Sequence, residues 1–276
     1  MVQRSEVDDP SDARLADFAA LNEPARRRQL ERAGGYFVVE GILAIERLLT
    51  LPEWSVRRLA LLPKVADRLR EQIDRAGMAD RVVVADEAVL AGVVGFDIHR
   101  GALASVDRRA PLTVSALAGA LPPRGRPLLV AAEGLNDHEN LGALYRNAAA
   151  FGAGGVVLDH TSADPFYRRS IRVSLGHVLG VPTAAMTTID ELHAQGITTV
   201  ALTPSAAGSL AALTADDLGT GPVAVIVGAE GPGLAEPTLA AAHHRVAIPM
   251  AADVDSLNVA TAVAVALFHV QALTGA

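Results

Sequence analysis

Short apolar runs recur through the second half of the chain, at residues 128–132, 156–158, 199–202, 223–227 and 246–248. Each run is continuously apolar and does not alternate with polar residues, which is typical of strands covered on both faces in a parallel sheet. Helical segments separate the runs, as in a series of strand–helix–strand units. We therefore predict an α/β domain with a parallel sheet over residues 127–276. Ligands of such sheets usually bind beyond the carboxyl ends of the strands.

The first half also alternates, with strands predicted at 36–39, 59–62 and 82–84 and helices at 41–49 and 65–76. This pattern predicts a smaller α/β domain over residues 22–109. The acidic residues 1–21 are expected to be a flexible N-terminal segment. Residues 110–126 are expected to be a linker, because the prolines near both of its ends lack an amide donor and fix φ.

The composition excludes several classes of protein. The chain has 276 residues, half of them hydrophobic, and no cysteine. The absence of cysteine rules out a disulfide scaffold, a thiol nucleophile and any cysteine-ligated metal. The spacing of the histidines suggests no metal site either.

Neither end of the chain predicts export or membrane insertion. The first twenty residues contain no apolar core of a signal peptide, so we expect a cytoplasmic protein. Residues 256–276 are uncharged, but polar side chains interrupt them and no basic residue anchors either end, which favours a buried helix over a membrane span.

The net charge of −7 conceals a difference between the halves, because residues 1–126 hold 19 basic and 18 acidic residues whereas residues 127–276 hold 5 and 13. Basic side chains in the front half can line a surface that follows a phosphate backbone. They can equally be the solvated faces of helices, and both interpretations stay open. The residues concerned are Arg26, Arg27, Arg28, Arg32, Arg57, Arg58, Lys64, Arg100, Arg108 and Arg109.

The first segment with candidate chemistry runs from residue 133 to residue 148, directly after an apolar run. Asn140 can cap the helix that follows. Arg146 comes six residues later, so the two side chains do not lie on one helix face. If both serve one site, Asn140 acts from the loop and Arg146 from the second turn. Considered alone, a plain cap and a solvent-facing arginine are the simpler interpretation.

The second segment is a glycine-rich turn after the apolar run 223–227. Gly228, Gly231 and Gly233 let the backbone approach a ligand or adopt positive φ, and Glu230 is the one charge among them. The spacing does not fit the dinucleotide fingerprint, and no P-loop is present. A tight turn with an exposed glutamate is the alternative.

The third segment follows the apolar run 246–248 with an acidic loop, and Ser256 and Asn258 then open a long helix of alanine and valine. The free amides of a first helical turn point toward whatever lies at the mouth of the sheet. An ordinary connection capped by Asp255 or Ser256 is the alternative.

Together and in this order, the three segments resemble the SpoU (TrmH-type) family of RNA 2′-O-ribose methyltransferases, within the SPOUT superfamily. The resemblance rests on Asn140-Leu141-Gly142 with Arg146 and Ala148, on the segment from Gly228 through Glu230 to Leu234, on Ile248-Pro249-Met250 and on Ser256-Leu257-Asn258-Val259, with Arg172, Ser174 and Gly176 between the first two.

This resemblance implies a catalytic domain with a deep trefoil knot, in which the methyl donor S-adenosylmethionine binds bent within the knotted loops. It also implies a homodimer to which the last helix contributes. Through residues 37–41, the front half is similar to the L30e-like substrate-binding domain that often precedes the catalytic domain.

The resemblance further implies roles for individual residues. Those matched to the methyl donor are Gly228, Gly233, Ile248 and Leu257, and those around the acceptor are Asn140, Arg146, Glu230, Ser256 and Asn258. Among the basic side chains, those expected to contact RNA are Arg26, Arg28, Arg32 and Arg172. The family's arginine is a proposed general base, but a guanidinium keeps its proton. We therefore interpret Arg146 as a clamp on the phosphate beside the target ribose. Glu230 can accept the proton or fix the turn.

The expected activity is methyl transfer to a ribose 2′-hydroxyl without a metal, with 23S ribosomal RNA as the substrate favoured by the L30e-like front domain. A tRNA methyltransferase and a catalytically silent RNA-binding relative are the alternatives. A dinucleotide-dependent enzyme is disfavoured because the fingerprint is missing.

Overall fold

The computed structural model describes residues 5–98, 101–122 and 126–274. Arg100 and residues 123–125, near the C-terminal end of the predicted linker, lie outside the described residues, as do residues 1–4.

The strands in chain order are β1 (Ser5–Val7), β2 (Tyr36–Glu40), β3 (Val56–Leu61), β4 (Val82–Ala85), β5 (Ala102–Asp107), β6 (Leu112–Thr113), β7 (Leu128–Glu133), β8 (Gly155–Asp159), β9 (Thr183–Met186), β10 (Thr198–Leu202), β11 (Gly208–Ser209), β12 (Val223–Gly228) and β13 (His244–Ala247).

The α-helices are α1 (Pro24–Gly34), α2 (Ile42–Leu48), α3 (Pro63–Arg68), α4 (Arg70–Arg75), α5 (Glu87–Val94), α6 (Val114–Ala120), α7 (His138–Ala150), α8 (Arg168–Val173), α9 (His177–Gly180), α10 (Asp190–His193), α11 (Glu236–Ala241) and α12 (Val259–Thr274). Short 3-10 helices add Ala13–Phe18, Ala79–Arg81 and Leu210–Ala212.

The chain divides into two compact units. The first comprises Met1–Arg109 together with Phe166–Leu179, and the second comprises Ala110–Pro165 and Gly180–Ala276.

The first unit contains a mixed five-stranded sheet in the order β1-β4-β3-β5-β2. β1, β4 and β3 are parallel, and β5 runs antiparallel to both β3 and β2. The sequence predicted a flexible N-terminal segment over residues 1–21, and for residues 5–21 this prediction is wrong. They supply β1 and a 3-10 helix that buries Leu15 and Phe18. The predicted helix 65–76 is two helices, because Leu69 leaves the helical conformation with φ −90° and ψ 1°.

The segment Phe166–Leu179 packs within the first unit, whereas its sequence position had placed it in the domain 127–276. Charge pairing and ring contacts explain the difference. Glu40, only 8% exposed, accepts hydrogen bonds from Arg168 Nη1 (3.1 Å) and Arg172 Nη1 (3.2 Å). The Phe166 ring lies 4.9 Å from that of Phe37. A buried carboxylate needs such partners, so the two arginines stabilise the position of α8.

The second unit contains an eight-stranded, all-parallel sheet in the order β11-β13-β10-β12-β7-β8-β9-β6. The prediction of a parallel α/β sheet is therefore confirmed. Part of the predicted linker is ordered structure, because β6 pairs with β9 and α6 buries Val114 and Leu117. The strand order reverses between β7 and β12, and the carboxyl ends of strands at such a reversal are where ligands bind.

The helix α12 packs against α7, β7 and β12. It buries Val263, Leu267 and Val270, which recur every three or four residues along one face. Among the described residues, no helix combines the length and the apolar content that crossing a membrane requires.

Candidate active site

The site is a cavity of about 430 Å³ at the carboxyl ends of β10, β12 and β13. Seven of the nine residues matched to donor and acceptor line it, namely Gly228, Gly233, Ile248, Leu257, Glu230, Ser256 and Asn258. Sequence reasoning missed the part of the lining that comes from the end of β10, namely Leu202, Thr203 and Pro204. Thr203, a polar residue directly after the apolar run 199–202, was a signal that could have identified it.

The glycine-rich loop, residues 228–234, closes tightly on itself. The Gly233 amide donates to the Ala229 carbonyl over 3.0 Å. Gly228 packs so closely that a Cβ built on it would lie 2.1 Å from the carbonyl carbon of Gly233. Gly231 and Gly233 have φ of 89° and 73°, which L side chains rarely adopt. Backbone thus forms this wall of the cavity, and the glycines are required for its shape.

Asn258 joins the third segment to the other two. Its Oδ1 accepts from the amides of Ala260 (3.0 Å) and Thr261 (3.3 Å), so Asn258 caps α12. The predicted caps at Asp255 or Ser256 are therefore wrong, and the helix begins at Val259 and not at Ser256. Because its oxygen is occupied, the Asn258 amide group faces the site as a donor.

That donor links all three segments. Asn258 Nδ2 donates to Asn140 Oδ1 over 2.7 Å and lies 3.4 Å from Glu230 Oε1. The carbonyl oxygen of Asn140 is thus engaged, and its Nδ2 is left to donate to another acceptor. The three polar side chains converge at one edge of the cavity.

Asn140 does not cap α7, contrary to the sequence prediction. Asp137 is the cap, and its Oδ1 accepts from the amides of Glu139 (2.7 Å) and Asn140 (2.9 Å). Asn140 therefore acts from the first turn of the helix and not from the loop. Both residue types cap helices well, so composition alone did not distinguish Asp137 from Asn140.

Arg146 is not part of the cavity wall. It lies about 240° around α7 from Asn140, since each helical residue advances about 100°. Asn147 lies on the face of Asn140 and donates to the Ala260 carbonyl over 2.7 Å. Arg146 is exposed, and no hydrogen bond or ion pair joins it to the residues that the structure describes.

The loop that precedes α7 is fixed by Asp159 at the end of β8. Asp159 Oδ1 accepts from the Gly134 amide (2.9 Å) and from Ser162, whose Oγ in turn accepts from the Leu135 amide (3.1 Å). Partial burial opposes ionisation, but the hydrogen bonds from Ser162, Thr161 and Gly134 outweigh it and lower the pKa of Asp159. Sequence reasoning assigned this residue no role.

Replacing Asp159 with asparagine should lower the free energy of unfolding by about 1–2 kcal/mol at pH 7, because one acceptor oxygen and the charge are lost. The folded-state pKa lies below 3.8, so ionised Asp159 stabilises the fold fully above that pH, and the contribution is lost as the pH falls further. Urea unfolding should show a constant difference between wild type and variant from about pH 5 to 8. An equal stability of the two proteins at pH 7 would refute this role.

The residues expected to contact RNA differ in their surroundings within the first unit. Arg28 and Arg32 are exposed on α1, with no ion pair to the described residues, and Arg26 lies 3.5 Å from Glu23. Arg172 is engaged by Glu40.

The described residues contain no group of three His, Asp or Glu side chains able to hold a metal ion.

Comparisons with known proteins identify the relatives of this chain. Residues 127–268 match the model of the SpoU rRNA Methylase family. An uncharacterized tRNA/rRNA methyltransferase of Mycobacterium tuberculosis is 38% identical, over 96% of this chain and 90% of its own length. The 23S rRNA (guanosine-2′-O-)-methyltransferase of Ralstonia nicotianae is 33% identical, over 68% of this chain and 76% of its own.

The fold is similar to that of an AdoMet-bound rRNA methyltransferase from Sinorhizobium meliloti, with a TM-score of 0.77, 23% identity and 97% of each chain covered. This similarity shows the fold alone. The match to the family model and the 38% identity to the relative from M. tuberculosis show the family, and the chain therefore belongs to the SpoU rRNA methylase family.

Proposed function

We propose that this chain transfers a methyl group from S-adenosylmethionine to a ribose 2′-hydroxyl of RNA, and that this RNA is 23S ribosomal RNA. The observation that carries the proposal is the contact of Asn140, Glu230 and Asn258 at the rim of the cavity. These residues come from three loops that are far apart in sequence. The similarity to a 23S rRNA guanosine 2′-O-methyltransferase favours ribosomal RNA over tRNA.

The cavity fits the methyl donor. Its volume of about 430 Å³ is typical of small-ligand sites. Val246, Ile248 and Met250 provide apolar contact for an adenine ring, and the backbone of residues 228–233 provides hydrogen-bonding groups for its polar atoms. When bound, S-adenosylmethionine supplies a methyl group activated by the adjacent sulfonium.

The acceptor is oriented by polar side chains at the edge of the cavity. The Asn140 Nδ2 group is free to donate to a phosphate or ribose oxygen, because Asn258 holds the other end of the amide. Ser256 lines the same edge and has a hydroxyl that can donate or accept. Holding two reactants in line supplies a large part of the acceleration of such a transfer.

Arg146 is assigned to the phosphate next to the target ribose. Its guanidinium stays protonated, and its two parallel N–H groups match a phosphate bidentately. The general base is therefore another group, and we assign this role to Glu230, whose Oε1 lies 3.4 Å from Asn258 Nδ2.

We assign phosphate contacts of the RNA to exposed arginines of α1, namely Arg28 and Arg32, which share one face of the helix, and Arg26, which lies on another. The first unit is taken as the L30e-like substrate-binding domain. The second unit is taken as the knotted catalytic domain, with domain limits near residues 109 and 127.

A homodimer is also part of the proposal, because α12 exposes an apolar stripe. Val265 is 38% and Phe268 64% exposed, and both lie on the face that carries Thr261 and Ala272. The Phe268 ring lies 6.5 Å from that of Phe151, at the end of α7. Arg146 and Ala150 are exposed on that neighbouring helix.

Replacing Phe268 with glutamate is expected to convert the dimer to a monomer, because it removes the largest exposed apolar side chain of the stripe and adds a charge. Sedimentation velocity at micromolar concentration measures the mass. Val254→Glu is the matched control, since Val254 is an exposed apolar residue in the loop before α12. A Phe268→Glu variant that sediments like the wild type would exclude this surface.

The function is tested by two measurements on the purified protein. Calorimetry should detect binding of S-adenosylmethionine to the protein and no binding of NAD. Radioactive methyl incorporation should occur into 23S ribosomal RNA and not into tRNA. Donor binding without incorporation into any RNA would favour the catalytically silent relative, and incorporation into tRNA would favour the tRNA enzyme.

A further inference from the structure

Glu133, the last residue of β7, reaches the segment that leaves the glycine-rich loop. Its Oε1 accepts from the Ala235 amide over 2.9 Å, and its Oε2 accepts from the Thr238 hydroxyl over 2.5 Å. Ala235 is the residue before α11, and Thr238 lies within its first turn. A single side chain thus holds a segment about one hundred residues away in sequence.

The two stems of the loop are held in different ways. The entering stem is part of the sheet, where Gly228 of β12 pairs with Glu133 of β7. The exit at Ala235 lies beyond the sheet ladder, and it is anchored by the hydrogen bonds that the Ala235 amide and the Thr238 hydroxyl donate to the Glu133 carboxylate. Glu133 therefore fixes the loop at the end that the sheet leaves unpaired.

The loop transmits this constraint to the cavity. Ala229 O accepts from the Gly233 amide, and Gly228 packs directly on Gly233, so the exit cannot move without moving the cavity wall. Glu230, between these residues, lies 3.4 Å from Asn258. Glu133 itself does not line that cavity.

We propose that Glu133 is a positioning residue that holds the glycine-rich loop in the shape that binds the methyl donor. The inference rests on the proposed function for the identity of that ligand. Without the carboxylate, the Ala235 amide and the Thr238 hydroxyl form hydrogen bonds with water instead. Binding of the methyl donor must then order the loop, which lowers the affinity, whereas the loop of the wild type is already ordered.

The experiment compares Glu133→Ala with Glu133→Gln. Glutamine keeps an oxygen for the Ala235 amide, and its Nε2 can donate to the Thr238 hydroxyl. In the alanine variant, hydrogen exchange of the hydrogen-bonded amides of Gly233 and Ala235 should accelerate about tenfold, and the Kd for S-adenosylmethionine should rise about tenfold. Both quantities should stay within about threefold of the wild type in the glutamine variant. The Kd for RNA should change in neither variant.

Two further variants separate the hydrogen bonds from general destabilisation. Thr238→Val removes one of the two partners and should raise the donor Kd less than Glu133→Ala, whereas Thr238→Ser keeps the hydroxyl and should leave it unchanged. A folded Glu133→Ala protein with wild-type exchange of the Gly233 and Ala235 amides would overturn the proposal. So would a donor Kd within twofold of the wild type, or a glutamine variant as impaired as the alanine variant.

The two kinds of failure are distinguishable. If wild-type protein ignores S-adenosylmethionine, the proposed function fails. The exchange measurement still decides whether Glu133 holds the loop, because it requires no ligand.

Discussion

Replacing Arg146 with lysine should lower the rate of methyl transfer about 100-fold, with the Kd for S-adenosylmethionine within about twofold of the wild type. A lysine keeps the charge but cannot form the bidentate contact that orients a phosphate. The donor cavity is unaffected because Arg146 does not line it. Single-turnover incorporation of radioactive methyl into RNA measures the rate, and calorimetry measures the donor Kd.

Arg245→Lys is the matched control for this prediction. Arg245 is also an exposed arginine of the second unit without an ion pair among the described residues, and it stands on β13 outside the cavity lining. It should retain the wild-type rate. If Arg146→Lys retained most of the wild-type rate, this would contradict both the bidentate phosphate contact and any other chemistry that only an arginine can supply.

Replacing Gly228 with alanine should weaken donor binding at least about 100-fold, which corresponds to about 2.7 kcal/mol. The new Cβ would lie 2.1 Å from the Gly233 carbonyl carbon and 2.3 Å from the Leu234 nitrogen. Both contacts are with backbone, so the loop has to move and the cavity wall moves with it. Calorimetry with S-adenosylmethionine measures the loss.

Alanine substitutions at two other glycines serve as controls for this prediction. Gly119, in α6, has no atom within 4 Å of a built Cβ, so Gly119→Ala should bind the donor like the wild type. Gly231 also has open space but a φ of 89°, so Gly231→Ala adds strain alone and should cost about tenfold in affinity. Wild-type affinity in Gly228→Ala would show that the loop does not form the donor site.

The parallel sheet was predictable because its central strands are buried on both faces and are therefore continuously apolar. The runs at 128–132 and 223–227 lie within β7 and β12, which pair directly. The strand β9 was not predicted because its residues, Thr183–Met186, are mostly small or weakly apolar. The strands β6 and β11 were not predicted because a strand of two residues is too short to show a hydrophobic pattern. The linker prediction gave too much weight to prolines, since β6 and α6 form between them.

Contacts between segments distant in sequence were not predictable from local pattern. The pairing of Glu40 with Arg168 and Arg172 joins residues about 130 positions apart, and no periodicity encodes it. The same is true of Glu133 and Asp159, which act on loops and not on a ligand. A polar residue ending a buried strand is the one signal that marks both of them.

The candidate residues were found because the motif order matched a family, and the structure adds their geometry. It brings Asn140, Glu230 and Asn258 together and leaves Arg146 on another face of α7. The direction of the Asn140 amide follows from a helix cap 118 residues away, which no single motif contains. The candidate residues could therefore be proposed from the sequence, whereas the orientation of their side chains required the three-dimensional structure.

The central claim is tested most directly by mapping the modified nucleotide. Purified protein is incubated with S-adenosylmethionine and unmodified 23S ribosomal RNA, and alkaline hydrolysis is read at nucleotide resolution, because a 2′-O-methyl group blocks cleavage of the following phosphodiester. We expect one resistant position, which is lost in Arg146→Lys and Gly228→Ala. Methyl incorporation at a base, with every phosphodiester still cleaved, would contradict it.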